Sequence, residues 1–520
     1  MNWMLSFDEV AFVHLQRGAS IPSMAISYEM AATSVGVIAV CALYKWLQVK
    51  PFISTLKISR HLHQPLLGIL SYFSTIEGLG VVMFDEADDD GMVQFFLAGM
   101  PCVSVLKAQH IRQILLASSF RARNPLFDSA NEAFLGKNAL PLLMGRPWKI
   151  HRQLIAKAFG WQNLVAMVPA IHSIAILFAD RLIKESTADI VPLVKLATLD
   201  AIGACAFGQS FDALDDPSNP IVDAFTFLLD DLNRRTHEDV LNPANMFHWL
   251  PTDNNKKFHA KTKILREAID ALVASRLSKT SASHHDLLQF MIDAATEEES
   301  GVTPQSFSDN LLTFLFAGFD TTSITLAYAF YLLAIHPDVQ DKALAEVRQV
   351  VGSNDITYEM VQNLPFCTAI IMESLRLFPP AFLTVRTLES NMTIGRHDVP
   401  AGTTVMLPIY WIHRYAPNWG PDAEAFRPER HLEDDDGVNL GAKEKGFRML
   451  AFSGGPRNCV GMRFAMLEAV IVLATLLSKC EFKRPDDAPP VRVALAGIVQ
   501  KPKDGIWLNV TPRGKTAHAG

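Results

Sequence analysis

Apolar positions along this chain recur mostly three and four residues apart. From about residue 105 to 380 that spacing predicts successive helices, each burying one face. Strand-like alternation is confined to short runs: Val93–Leu97, Met392–Ile394, Thr404–Leu407 and Trp507–Val510. The expected fold class is mainly α with small β regions. One helix is expected to stand apart. Thr303 suits an N-cap and Pro304 the first helical position, and a largely apolar pattern runs on to Ile335, where His336-Pro337 stops it. At 1.5 Å per residue this segment spans roughly 48 Å. A helix so long and apolar has to run through the middle of a large unit. Shorter helices are expected over Asp338–Val350, over Phe366–Phe378 before Pro379-Pro380, and over Met462–Leu477.

A different apolar run lies near the N-terminus. Met30 to Leu43 carries no charge, but a membrane span needs about 20 residues. It reaches that length if Tyr44, Trp46 and Leu47 join it and Lys45 snorkels to the interface. Lys45, Lys50, Lys57 and Arg60 follow the run, while Asp8, Glu9 and Glu29 precede it. By the positive-inside rule the C-terminal body faces the cytosol. The run starts late, after a stretch that is not basic, which argues against a cleaved signal peptide. The expectation is an anchor region over 1–50, a catalytic unit over 51–512 and a polar tail over 513–520. A buried helix of the body is the alternative for the run. Asn391-Met392-Thr393 and Asn509-Val510-Thr511 are glycosylation sequons, so a glycosidase-sensitive mass shift would place the body in the lumen instead.

Composition narrows the function. Of the 520 residues 49% are hydrophobic and 19% charged, enough apolar material for a large core. The net charge of −7, with no basic arm or zinc-finger spacing, argues against nucleic-acid binding. The six cysteines form no CxxC pair and are too sparse for a disulfide framework. Cys102, Cys205 and Cys367 sit among apolar residues, as small core side chains do. The acidic runs at 85–91 and 433–437 read as solvated turns.

Cys459 is set apart by its surroundings. Residues 452–461 read FSGGPRNCVG, and an apolar helical pattern follows. The cysteine therefore stands at a helix N-terminus, where free N–H groups and the dipole favour a thiolate. Gly454, Gly455 and Gly461 would let backbone pass close to a flat ligand. Arg457 offers a cation for a carboxylate of that ligand, and Phe452 can shield the sulfur. The loop fits FxxGxRxCxG at every defined position and in this resembles the heme loop of the cytochrome P450 family.

Further motifs carry the same resemblance. Glu373 and Arg376 (ESLR) share a helix face and can pair. They match the family's ExxR motif, which implies a structural brace with Arg430 of FRPERH. Trp148 and Arg152 (WKIHR) also share a face. An indole N–H and a guanidinium suit a carboxylate, and the resemblance implies contact with a heme propionate, as it does for Arg386 and Arg457. Ala317-Gly318-Phe319-Asp320-Thr321-Thr322 clears space on the long helix. There Thr321 can bond the Ala317 carbonyl and loosen the helix locally. The segment resembles the family's AGxDT, which implies proton delivery by Thr321 and Asp320. Neighbouring helix residues point about 100° apart, so the two are not expected to face one space.

The resemblance covers about residues 60–512. It implies a helical domain around a buried heme plus a small β-rich domain, with heme b held by the Cys459 thiolate. It implies a monooxygenase that inserts one atom of O2 into a lipophilic small molecule. No GxGxxG or flavin pattern is present. Electrons from NADPH are therefore expected through a separate NADPH-cytochrome P450 reductase, with cytochrome b5 as an alternative donor, at the endoplasmic reticulum membrane. Lys443, Lys445, Arg448 and Arg463 are candidates for its docking face, or for a solvated charge run. The substrate pocket is expected to draw on Phe314, Ala317, Phe382, Leu383, Val385, Ile498 and Val499. Being apolar, it suits a terpenoid, sterol or other secondary metabolite better than a free fatty acid. Other readings are a fatty-acid hydroxylase, a reductase-independent isomerase or dehydratase, a heme sensor and a cofactor-free scaffold. Asp320-Thr321 argues against the isomerase, and the lack of an output domain against the sensor.

Overall fold

The computed structural model describes residues 52–56, 75–97, 100–117, 131–237, 250–278, 285–297, 302–433, 447–496 and 499–514. The principal helices are α1 (Ile76–Met83), α2 (Ala108–Ala117), α3 (Gly145–Ala158), α4 (Trp161–Glu185), α5 (Ile190–Phe207), α6 (Pro220–His237), α7 (Asp253–Ser278), α8 (Leu287–Glu297), α9 (Pro304–Ile335), α10 (Pro337–Val350), α11 (Pro365–Leu377) and α12 (Met462–Lys479). The strands are β1 (Met92–Leu97), β2 (Met100–Val105), β3 (Thr187–Asp189), β4 (Thr384–Thr387), β5 (Met392–Ile394), β6 (His397–Val399), β7 (Thr404–Leu407), β8 (Cys480–Lys483), β9 (Val493–Ala496), β10 (Val499–Pro502) and β11 (Trp507–Pro512). Among the described residues the fold is mainly helical with four small sheets, as the spacing predicts for its class. The anchor run Met30–Leu43 lies outside the described residues.

Helix α9 is the axis of the molecule. The Thr303 hydroxyl accepts from the Ser306 N–H at 3.3 Å, and Pro304 opens the first turn. Most of its side chains are buried, against α5, α7, α11 and α12. Helices α4, α5 and α9 are each long and apolar enough to cross a membrane. In α5 and α9 that apolar character is spent on the core, where most of both helices is buried. A second, smaller core lies under the sheet ordered β1-β2-β7-β4, with Val103, Val105, Val405 and Leu407 at its centre. Strand β2 pairs parallel with β7, Cys102 facing Thr404, so this sheet joins distant parts of the chain.

Residues 52–56 dock on the sheet. Ile53 and Leu56 are buried, Phe52 meets Phe96 edge-on at 5.4 Å, and the Gln94 amide bonds both the N–H and the carbonyl of Ile53. The acidic run at 85–91 is more than a solvated turn. Asp88 accepts from the Met92 N–H and from Arg396, and it bonds buried His397 at 2.8 Å. Cys102, Cys205, Cys367 and Cys480 are buried core residues. Burial pushes the Cys102 and Cys480 thiols up to about 12.

Candidate active site

Three segments converge on the cysteine loop. From α3, Arg152 donates to the Asn458 side chain at 2.5 Å, and Trp148 lies under the Arg457 guanidinium, 4.0 Å from its ring centroid. Arg457 also donates to the Leu143 carbonyl at 2.9 Å, in the turn that leads into α3. From β4, buried Arg386 donates to the Ser453 hydroxyl at 3.2 Å. Within the loop, the Cys459 N–H bonds the half-buried Phe452 at its carbonyl, at 2.9 Å. Trp148, Arg152, Arg386, Arg457 and Phe452 thus all gather around Ser453–Cys459. Three guanidinium groups in one place suit a ligand with carboxylates.

Cys459 precedes α12, whose N-cap is Gly461. Cys459 is exposed, in a part of the molecule densely lined by protein. Burial raises its pKa. The Gly461 and Met462 N–H groups and the Arg152 charge draw it back without overcoming burial. A thiolate here needs a further positive partner, and a bound metal ion would supply one.

Two of the loop glycines are also demanded by packing within the protein. Gly455 has φ +68°, and a Cβ there would lie 2.2 Å from the Leu115 carbonyl. Gly454 packs against Leu115 and Phe447. Both are demanded by the close approach of α2. Only at Gly461 is there open space where a side chain would stand. Ser453 holds a left-handed φ of 57°, a strained backbone, and accepts from Arg386 in that position.

Midway along buried α9, Ala317 is exposed and Thr321 partly so. The Thr321 hydroxyl donates to the Ala317 carbonyl at 2.6 Å. Asp320 turns the other way, as helical geometry requires, and is buried against α5 with Lys195 3.1 Å from its carboxylate. An exposed cysteine in a donor-rich loop and an exposed turn at Ala317–Thr321 in a core helix together fit a flat, carboxylate-bearing metal cofactor. Of the pocket candidates, Leu383 and Val385 are half-buried, and Phe314 packs edge-on against Phe159 at 5.6 Å. Phe382 is buried in the β-side core and Val499 in the helical core, while Ile498 lies outside the described residues.

Behind the loop stands a buried ion network. Glu373 accepts from Arg376 Nε and Nη2 at 2.8 Å each, from Arg430 Nε at 2.9 Å and from the Arg427 N–H at 2.9 Å. His431 Nε2 stands 2.9 Å away. Burial would raise the Glu373 carboxyl, but Arg376 and His431 outweigh it and hold the carboxyl well below the usual range. Arg376 also donates to the carbonyls of His413, Ala423 and Ala425.

Sequence reasoning missed His413. It lies between the Arg376 carbonyl at 3.1 Å and the Leu450 N–H at 2.7 Å, which fixes its tautomer and ties the network to the start of the cysteine loop. Burial and the Arg376 charge lower its pKa to about 3, so it stays neutral. A histidine beside Arg414 in WIHR gave little signal alone. Lys195 was missed as well. Two of the four basic residues expected at a docking face fall within the described residues. Arg448 bonds the Asn418 carbonyl and lies over Trp419 at 4.5 Å, while Lys443 and Lys445 fall outside the described residues. Arg463 is exposed.

Comparison with known proteins agrees with this geometry. The family model for cytochrome P450 matches residues 64–509. Secologanin synthase 2 of Catharanthus roseus is 30% identical over 409 residues, covering 74% of each chain. Cytokinin hydroxylase of Arabidopsis thaliana is 29% identical over 421 residues, 79% of each. Cytochrome P450 3A12 of Canis lupus familiaris is 29% identical over 436 residues, 81% of this chain and 84% of the relative. With a match that spans the body of the chain, and a thiol loop braced as described, the chain belongs to the cytochrome P450 family and is a heme-thiolate monooxygenase.

Proposed function

We propose that this monooxygenase inserts one oxygen atom from O2 into a C–H bond or double bond of an uncharged lipophile. A terpenoid, a sterol or another secondary metabolite is the substrate class. The observation that carries the reading is the exposure of Ala317 and, in part, of Thr321 midway along a buried helix, together with the exposed Cys459. Heme b, when bound through Cys459, supplies the oxidising power; the protein supplies ligation, burial and proton routing. Arg152, Arg386 and Arg457, with Trp148, would hold its carboxylates. The Thr321 hydroxyl donates its hydrogen bond to the Ala317 carbonyl. Its oxygen lone pairs are thereby free to accept a hydrogen bond from the open side. Asp320, on the other side of the helix, carries protons inward from the α5 surface.

Phe314, Leu383, Val385 and Val499 offer no charge to a substrate carboxylate, which supports a neutral molecule over a free fatty acid. A secologanin synthase and a cytokinin hydroxylase among the relatives support a small-molecule substrate. Electrons come from NADPH through a separate flavoprotein reductase. Residues 1–50 are the membrane anchor, at the endoplasmic reticulum with the body in the cytosol. The docking of 52–56 onto the sheet supports a body that begins at about 51. The test is a panel of neutral terpenoids and sterols beside fatty acids of similar size. Spectral shifts and NADPH-dependent products are expected with the neutral set; response to fatty acids alone would overturn the substrate class.

A further inference from the structure

We propose that one face of α5, formed by Lys195, Thr198 and Ile202, is a clamp that positions the proton-relay segment of α9; this rests on the reading of Asp320 and Thr321 given above. The three residues lie at i, i+3 and i+7, so they share a face. They meet three consecutive residues of α9. Lys195 Nζ is 3.1 Å from Asp320 Oδ1. The Thr198 hydroxyl is 3.1 Å from the Phe319 carbonyl, and equally near the carbonyls of Val194 and Lys195 in its own helix. At Gly318 a Cβ would come within 3.2 Å of Ile202 Cδ1, tighter than an ordinary contact, so glycine lets α5 pack this closely without a shift of the Ile202 side chain.

The segment needs an external hold. Side-chain hydroxyls reach the carbonyls of Ala317 (from Thr321), Phe319 (from Thr198), Asp320 (from Ser323) and Thr321 (from Thr325). Such bonds compete with the backbone ladder and loosen a helix. A loosened turn does not by itself fix where Asp320 and Thr321 point. Lys195 also answers a charge requirement, since a carboxylate buried as Asp320 is needs a cation. The pair meets at ionic distance without hydrogen-bond alignment, which steers the carboxylate and leaves it able to exchange a proton. The Lys195 side chain is 21% exposed, against 8% for Asp320. The relay moves protons alone. Water at the Lys195 end gives one to the carboxylate, Asp320 passes it inward to the Thr321 side, and the carboxylate is restored.

The experiment uses the full heme-loaded chain with an NADPH-dependent flavoprotein reductase. NADPH oxidation, hydrogen peroxide release and the solvent deuterium isotope effect are measured for Lys195→Met, Thr198→Val, Asp320→Asn and Thr321→Ala. Loss of the relay acid should slow the proton-dependent step on the order of 100-fold. Lys195→Met and Thr198→Val should each slow it roughly tenfold and change the isotope effect, a partial loss of the same contribution. Lys195→Arg and Thr198→Ser should restore most of it. A second readout is independent of turnover. In thermal unfolding, Asp320→Asn should recover part of the stability that Lys195→Met loses, because it removes the stranded charge. If Asp320→Asn is slow while Lys195→Met and Thr198→Val match the wild type, the clamp is overturned and the site reading stands. If Asp320→Asn and Thr321→Ala both match the wild type, the site reading itself falls.

Discussion

Glu468 of α12 should make the folded state lose stability as pH rises through neutrality. Its side chain is fully buried, and neither carboxyl oxygen has a hydrogen-bond partner. Burial pushes its pKa from 4.5 up to about 8; the Thr322 hydroxyl draws it down slightly, although the two fall outside hydrogen-bond geometry. The folded carboxyl keeps its proton to about 8, while the unfolded chain gives it up near 4.5. Stability from this group is therefore fully present below 4.5 and is lost as pH rises toward 8. At about 1.36 kcal/mol per unit the loss is below about 1 kcal/mol at pH 5, about 3 kcal/mol at pH 7 and more than about 4 kcal/mol at pH 8. Glu468→Gln removes the titration and leaves a similar shape. Guanidinium unfolding of both proteins at pH 5, 6, 7 and 8 should show a stability difference in favour of glutamine that grows with pH. Glu468→Met, which also removes the unbonded polar atoms, should gain at every pH. A difference that stays constant from pH 5 to 8 would refute the reasoning, since it would mean that the carboxyl is ionised or hydrated in the folded protein.

Other sites give sharper losses. Glu373→Gln strands Arg376 and Arg430 in the core and should cost about 3 to 5 kcal/mol, seen as reduced heme content and earlier thermal unfolding. Gly136→Ala should be among the most damaging small changes. Gly136 has φ +91°, and the new Cβ would fall 2.0 Å from Asp309 Oδ1, a carboxylate that also holds the Asn138 N–H and Arg266. Arg457→Lys keeps the charge but loses the planar stack on Trp148 and should weaken heme retention in gel filtration while the apoprotein fold persists.

The sequence was most legible where local chemistry and burial agree. The cap at Thr303, Pro304 and the stop at His336-Pro337 mark α9 to the residue, because each signal acts within one turn. FSGGPRNCVG and ESLR were readable for the same reason. The strands were half-legible. Strands β1, β5, β7 and β11 appear as expected, but β2–β4, β6 and β8–β10 were missed, because short runs show little alternation and some of the pairings, such as β2 with β7 and β3 with β11, join distant parts of the chain. Long-range pairings were invisible: nothing near Lys195 announces Asp320, and nothing in WIHR announces that His413 bridges to Leu450. Gly454 and Gly455 were read only as room for a ligand, and a second demand on them went unseen. That demand comes from α2, which no local pattern reveals.

The central claim is that Cys459 ligates a heme iron as thiolate. The carbon-monoxide difference spectrum of the reduced full-length protein, recorded beside Cys459→Ser, tests it most directly. A red-shifted Soret band in the wild type that disappears in the serine variant is the predicted result. A wild type that binds no heme, or a variant that keeps the same band, would contradict the assignment and with it the mechanism built on the loop.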